Sequence, residues 1–169
     1  MEDRKRSKPR QSAKDRALGL LGVRWRSREE LQRRLRQAGY EPDDIERALA
    51  DLTEVGLIED GRFARELVRD QATRRHAGDR AILSALRQKG VSADVAEVAL
   101  GQAGDEAERA RDLAARRAAR MMTLAPDAAY RRLYGLLLRR GFPPGLAAEA
   151  CREALAEAFP EAEDELTES

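Results

Sequence analysis

Arginine is the reactive side chain this sequence supplies in quantity, with twenty-eight arginines against four lysines and one histidine in 169 residues. The chemistry it offers is recognition rather than bond-making, because a permanently charged planar guanidinium grips carboxylates and phosphates with a two-pronged fork. Arg24, Arg26 and Arg28 flank Trp25 and Ser27, while Arg62, Arg65 and Arg69 recur at helical spacing ahead of "TRRHAGDR", which adds Arg74, Arg75 and Arg80. Two readings stay open for such a face: a solvated exterior, or a basic stripe that meets an acidic protein surface or a phosphate backbone. Trp25, the lone tryptophan, suits either a plug between helices or an interface anchor. Lys89 stands directly before Gly90 in "RQKG", either as a cation at a helix C-terminus or as a flexible ammonium for a partner.

Catalytic constellations are missing. His76 has no second histidine, so an ordinary zinc site cannot be assembled around it. Neither G-x-x-x-x-G-K-[ST] nor G-x-G-x-x-G occurs, which removes the familiar phosphate-cradling loops. Asp43, Asp44, Asp60, Asp79 and Asp105 all fall at predicted helix starts, where capping and the helix dipole account for them. The expectation is a binding protein without cofactor or metal, not an enzyme.

The elements that must carry these arginines are written three times. "ELQRRLRQAGYEPDDIERAL", "AILSALRQKGVSADVAEVAL" and the looser "RRLYGLLLRRGFPPGLAAEAC" align on Gly39, Gly90 and Gly141, a constant step of 51 residues (39 to 90, 90 to 141). In that register Leu31, Ile82 and Leu133 share a column, as do Leu35, Leu86 and Leu137, then Ala48, Ala99 and Ala150, then Leu49, Leu100 and Cys151. Such recurrence marks duplicated units. Apolar residues repeat at i, i+3, i+4 and no stretch alternates as a strand does, so the predicted fold is all-α: an elongated, curved array of three tandem three-helix repeats.

Local signals place the ends. A first helix is predicted from Ala13 to Arg24; a second follows Ser27, whose hydroxyl caps it while Glu30 reaches back in a capping box, and stops at Gly39. Pro42 suits the first turn of the third, which Gly56 stops. Asp60, Ser92 and Asp105 read as caps of later helices, Gly78–Asp79 as a stop and start, and Pro126 as a break, with the last helix from about Leu146 to Phe159. The helix-turn-helix alternative is disfavoured, since the second helices "PDDIERALADL" and "SADVAEVALGQ" are acidic or neutral where a groove reader needs cations or amides.

The predicted division is a basic arm over 1–12, repeats over 13–58, 59–103 and 104–159, and an acidic tail over 160–169. A net charge of +1 conceals the polarity between those ends: "MEDRKRSKPRQSAKDR" has seven basic and three acidic residues, and "EAFPEAEDELTES" has six acidic and none basic. Both ends read as unstructured, the arm either touching nucleic acid or an acidic surface or simply solubilising. Aromatic residues make up only 4%, which favours small repeated cores over one large core. Cys151, the only cysteine, falls on a repeated core position and reads as a buried thiol. No apolar run is long enough to span a bilayer and "ALGLLGV" is cut short by "RWRSREE", so a cytoplasmic monomer with no membrane contact is expected.

"LGVRWRSREELQRRLRQAG", "GLIEDGRFARELV" and "RRHAGDRAILSALRQKGVS" together resemble the RecX family of bacterial regulatory proteins, with "LLLRRGF" similar to that family's weaker third signature. The resemblance runs over roughly 17–155. Matching positions are Arg24, Ser27, Glu30, Leu31 and Leu35, then Asp60, Arg62, Phe63 and Ala64, then Gly78, Ile82, Leu86, Lys89 and Gly90. Glu59 stands where the usual pattern has an aspartate, and the third unit is richer in alanine. The resemblance implies tandem three-helix repeats and a partner, the RecA recombinase filament on single-stranded DNA, whose extension, ATP hydrolysis, strand exchange and co-protease activity such proteins inhibit. Partner-binding candidates are Arg24, Trp25, Arg26, Arg28, Arg62, Arg65, Arg69, Arg74, Arg75 and Lys89, with weak contact to DNA phosphates a further expectation. Charge reversal at Arg24, Arg62, Arg69, Arg75 or Lys89 is expected to weaken inhibition at nearly unchanged thermal stability. The alternative is a helical protein that binds single- or double-stranded DNA directly and competes with recombinase.

Overall fold

The structure, a computed structural model, describes residues 11–160. The expectations for most of the basic arm and for the acidic tail lie outside those residues. Among the described residues there are nine helices and no strand: α1 (Ala13–Leu21), α2 (Arg28–Gln37), α3 (Pro42–Glu54), α4 (Asp60–Thr73), α5 (Asp79–Gln88), α6 (Ala93–Leu100), α7 (Glu106–Ala118), α8 (Pro126–Arg139) and α9 (Pro144–Ala158). They group by threes, with the dense helix packing confined to α1–α3, α4–α6 and α7–α9.

The 51-residue glycine register has a backbone cause. Gly39, Gly90 and Gly141 have φ of 84°, 73° and 92°, the left-handed region that side chains disfavour. Each closes the middle helix of its repeat in the same way: the glycine N–H donates to the carbonyl three residues back, and the next residue's N–H donates to the buried leucine carbonyl five back, Tyr40 to Leu35, Val91 to Leu86 and Phe142 to Leu137. The glycine turn at the centre of each repeated motif thus ends one helix and aims the next.

Several predicted caps are realised and several are not. Ser12 caps α1, Ser27 Oγ accepts from the Glu30 N–H at 3.2 Å, and Asp105 accepts from the Glu108 N–H at 2.9 Å. Pro42 occupies the first turn of α3. The capping box predicted at Glu30 does not form: Oε1 of that carboxylate accepts from arginines, and Oε2 makes no hydrogen bond. Asp60 begins α4 without capping it and serves another helix instead, as described below. Ser92 precedes α6 but makes no side-chain cap bond, α1 ends three residues short of Arg24, and α9 starts at Pro144, whose fixed φ suits a first turn.

Three separate cores result. Ala13, Ala17, Leu31, Leu35, Ile45, Leu49 and Leu52 fill the first; Phe63, Ala64, Val68, Ile82 and Leu86 the second; Leu113, Leu133, Leu137, Phe142 and Cys151 the third. The columns read from the sequence are the buried ones, apart from Leu100, which is only partly covered where Leu49 and Cys151 are fully enclosed. Burial pushes the Cys151 thiol up to about 11, so it packs as an apolar group. Leu35→Ala or Leu86→Ala is expected to cost about 2–5 kcal/mol, measured by chemical denaturation; a cost of a few tenths would show that these small cores are not what holds the repeats together.

Candidate functional site

The loop between α1 and α2 delivers Arg24, Trp25 and Arg26 to the seam between the first two repeats. Trp25 packs against the second core, and the Arg62 guanidinium of α4 lies over its ring, 4.0 Å from the centroid. Beside it Glu30 is buried, 2% exposed, and its Oε1 accepts from Arg24 and Arg26, both at 2.6 Å, and from Arg34 at 3.1 Å. Lys89 Nζ, from the end of α5, stands 3.8 Å from Glu30 Oε2. Burial alone would raise the Glu30 pKa and is the largest single influence; the hydrogen bonds from Arg24, Arg26 and Arg34 together outweigh it and hold the carboxyl at about 2.

The helix ends meet at this seam in a pattern that recurs. Ser27 Oγ donates to the Lys89 carbonyl, and the Arg28 N–H donates to Asp60 Oδ1 at 2.9 Å, so the first turn of α4 supplies a cap for α2. At the second seam, 51 residues on, the Gly78 N–H donates to the Arg140 carbonyl at 2.9 Å, and the Asp79 N–H to Glu106 Oε1 at 2.7 Å. The start of each middle helix therefore rests on the end of the next middle helix, and a carboxylate of the following repeat satisfies its free N–H. The close approach depends on glycine: a Cβ on Gly78 would lie 2.6 Å from the Gly141 backbone, and one on Gly141 would lie 2.6 Å from Ala81.

The second seam has its own buried cation. Arg109, 8% exposed, donates to the carbonyls of Ala77 (3.2 Å), Ala103 (2.8 Å) and Gly104 (2.7 Å) and pairs with Asp79. Arg140 donates to the Arg75 carbonyl, pinning the loop in which His76 takes φ of 45°. His76 titrates below its ordinary value, through burial first and then the charge of Arg116, with Asp112 opposing and Arg140 and Arg117 adding to the fall. Among the described residues no three metal-ligating side chains gather in one place.

The candidate residues thus divide into two groups. Arg24, Trp25, Arg26, Arg62 and Lys89 meet at the first seam, where Arg26 is 7% exposed with its guanidinium committed to Glu30 and the Leu20 carbonyl; it is not on the outer face where it was expected. Arg28 begins α2 and pairs with Glu46 at 2.7 Å. The remainder follow α4 outward: Arg65, which reaches Glu59 at 3.2 Å, Arg69, and Arg74 and Arg75, which stand 3.3 Å and 3.9 Å from Asp70. Charge reversal at Arg24 or Lys89 would set a carboxylate against buried Glu30, so the expectation of unchanged stability is withdrawn for both. Glu106, Arg109 and Arg140 were not singled out from the sequence; Arg109 had a signal, since it adjoins Ala110 on the stripe that continues to Leu113 and Ala114.

Three quasi-equivalent helix triplets joined by matching polar seams define a tandem helical-repeat protein. Models of the first, second and third three-helix domains of RecX match residues 13–52, 60–100 and 104–151. The chain belongs to the RecX family of regulatory proteins. It is 43% identical over 163 residues to the regulatory protein RecX of Corynebacterium efficiens, covering 92% of this chain and 77% of that protein, and 44% identical over 159 residues to that of Mycobacterium avium, covering 89% and 90%. The crystal structure of RecX from Lactobacillus salivarius is similar, with a TM-score of 0.72 at 26% identity over 84% of this chain and 94% of the other. None of the described helices is long and apolar enough to cross a membrane.

Proposed function

We propose that this chain, acting as a cytoplasmic monomer, binds the RecA filament on single-stranded DNA and inhibits its extension, ATP hydrolysis, strand exchange and co-protease activity. RecX family membership supports the regulatory role. The observation that carries the surface assignment is the row on α4: Arg62, Arg65 and Arg69 are exposed at three- and four-residue spacing, and Arg69 has no ion pair among the described residues. Trp25 and Lys89 adjoin that row from the first seam. Modules in series bring several weak contacts to neighbouring subunits of a polymer at high effective concentration, and bridging them favours one subunit geometry over the changes that hydrolysis and growth require.

The test is the rate of ATP hydrolysis by RecA on single-stranded DNA as purified protein is added. The unmodified chain inhibits; Arg65→Glu with Arg69→Glu raises the half-inhibitory concentration on the order of tenfold, two exposed charge contacts being worth up to ~1 kcal/mol each, while the melting temperature stays put. An unmodified chain without effect on hydrolysis would sink the reading. Inhibition that disappears in excess free DNA would favour direct competition for nucleic acid.

A further inference from the structure

Two clefts of the first two repeats set arginines beside carboxylates: Arg28, Arg33 and Arg36 with Glu29 and Asp60, and Arg69 and Arg74 with Glu66 and Asp70. Between the end of α7 and the face of α8, by contrast, a cleft of about 390 Å³ is lined by Arg117, Arg120, Arg132 and Arg139 and by no carboxylate. None of these four forms an ion pair among the described residues. Met121, Leu124 and Leu136 give it an apolar floor, and Thr123 completes the lining.

Guanidinium groups gathered around one cleft repel one another, so the site gains most from a ligand that brings several negative charges. Arg132 and Arg139 are seven residues apart on α8, about 10 Å along the axis. That is more than one phosphate ion can bridge, so the pair suits a ligand that carries successive negative charges along a chain. Sugars between the charges suit an apolar floor, and a strand carries its charges on the backbone, whereas an acidic peptide must immobilise flexible side chains to present them. The geometry points to a binding site for the sugar–phosphate backbone of a single nucleic-acid strand, held by Arg117 near the end of α7, Arg120 in the turn after it, and Arg132 and Arg139 from α8. The cleft is distinct from the α4 row, and its occupancy needs no recombinase, so the two assignments stand or fall separately.

Anisotropy of a labelled oligothymidylate, titrated with the full chain alone over a range of salt, measures it. Each arginine contact to a single strand contributes about 0.7 to the log–log salt slope. Arg132→Gln with Arg139→Gln is expected to flatten that slope by about 1.4 and to weaken binding at low salt at least tenfold, whereas Arg132→Lys with Arg139→Lys keeps the slope. Both positions are exposed, so all versions should melt alike. An unchanged slope in the glutamine pair overturns the assignment. So does polyglutamate displacing the oligonucleotide as well as unlabelled oligothymidylate does at equal charge, which would mark the cleft as an acceptor of acidic protein.

Discussion

Glu30→Gln will lower stability by about 3 kcal/mol at neutral pH and remove a step from the acid unfolding curve. One carboxylate oxygen holds Arg24, Arg26 and Arg34, and Arg26 is itself buried. Removing the charge leaves cations whose desolvation is no longer offset, and breaking such a buried arrangement from one side costs about 3–5 kcal/mol. The carboxyl's pKa points the same way, since it is held at about 2, well below its ordinary value, by the three arginines. Because the folded pKa is the lower one, this stability is fully present above pH 4.5 and is lost as pH falls from there toward 2. The glutamine chain has nothing to protonate at that position. Its melting temperature should fall by about 6–12 °C at pH 7, and the gap to the unmodified chain should close as the pH approaches 2. A gap that stayed constant with pH would mean that the carboxylate is not the linked group.

Arg109→Lys will be nearly as damaging as Arg109→Met, about 3 kcal/mol or more, and the damage will be local. Arg109 serves three carbonyls and the Asp79 carboxylate from one planar group. An ammonium on a four-carbon stem keeps the charge but cannot present the fork, and every buried acceptor left bare costs about 1–3 kcal/mol. Since each triplet has its own core, the loss falls on the coupling between the second and third repeats. Calorimetry should show α7–α9 melting apart from the rest, and amide exchange should quicken there while α2 and α3 keep their protection. A lysine chain that melts in one transition at the original temperature would remove Arg109 from this role.

These two residues also mark where the sequence stops being legible. The glycine register, the leucine columns and the helix count follow from rules that act within a few residues, and the structure places the glycines in the left-handed turns that their spacing implied. Where two short-range rules compete, or a contact joins distant residues, the outcome is not written locally. Glu30 follows Ser27 by three, the signature of a capping box, yet it also stands four residues from both Arg26 and Arg34, and the arginines win. Asp60 looks like the cap of its own helix and is used by Arg28, thirty-two positions earlier. Arg109 is lost among twenty-eight arginines, although a cation beside the apolar stripe of α7 was visible before any contact was known. For the α4 row, helical spacing gave the exposed face; Arg26 and Glu30 stand four apart, a pairing distance, but the burial of Arg26 also needs the Leu20 carbonyl at the end of the preceding helix.

The end-to-end seating of α2 on α5 and of α5 on α8 has a mechanical side. Tension along that line of helices would load a handful of directional polar bonds and the Trp25 contact before it reached the packing inside any triplet. The molecule would come apart at its joints with each segment still intact, like beads parting on a thread, and would regain its form by re-seating them rather than by folding anew.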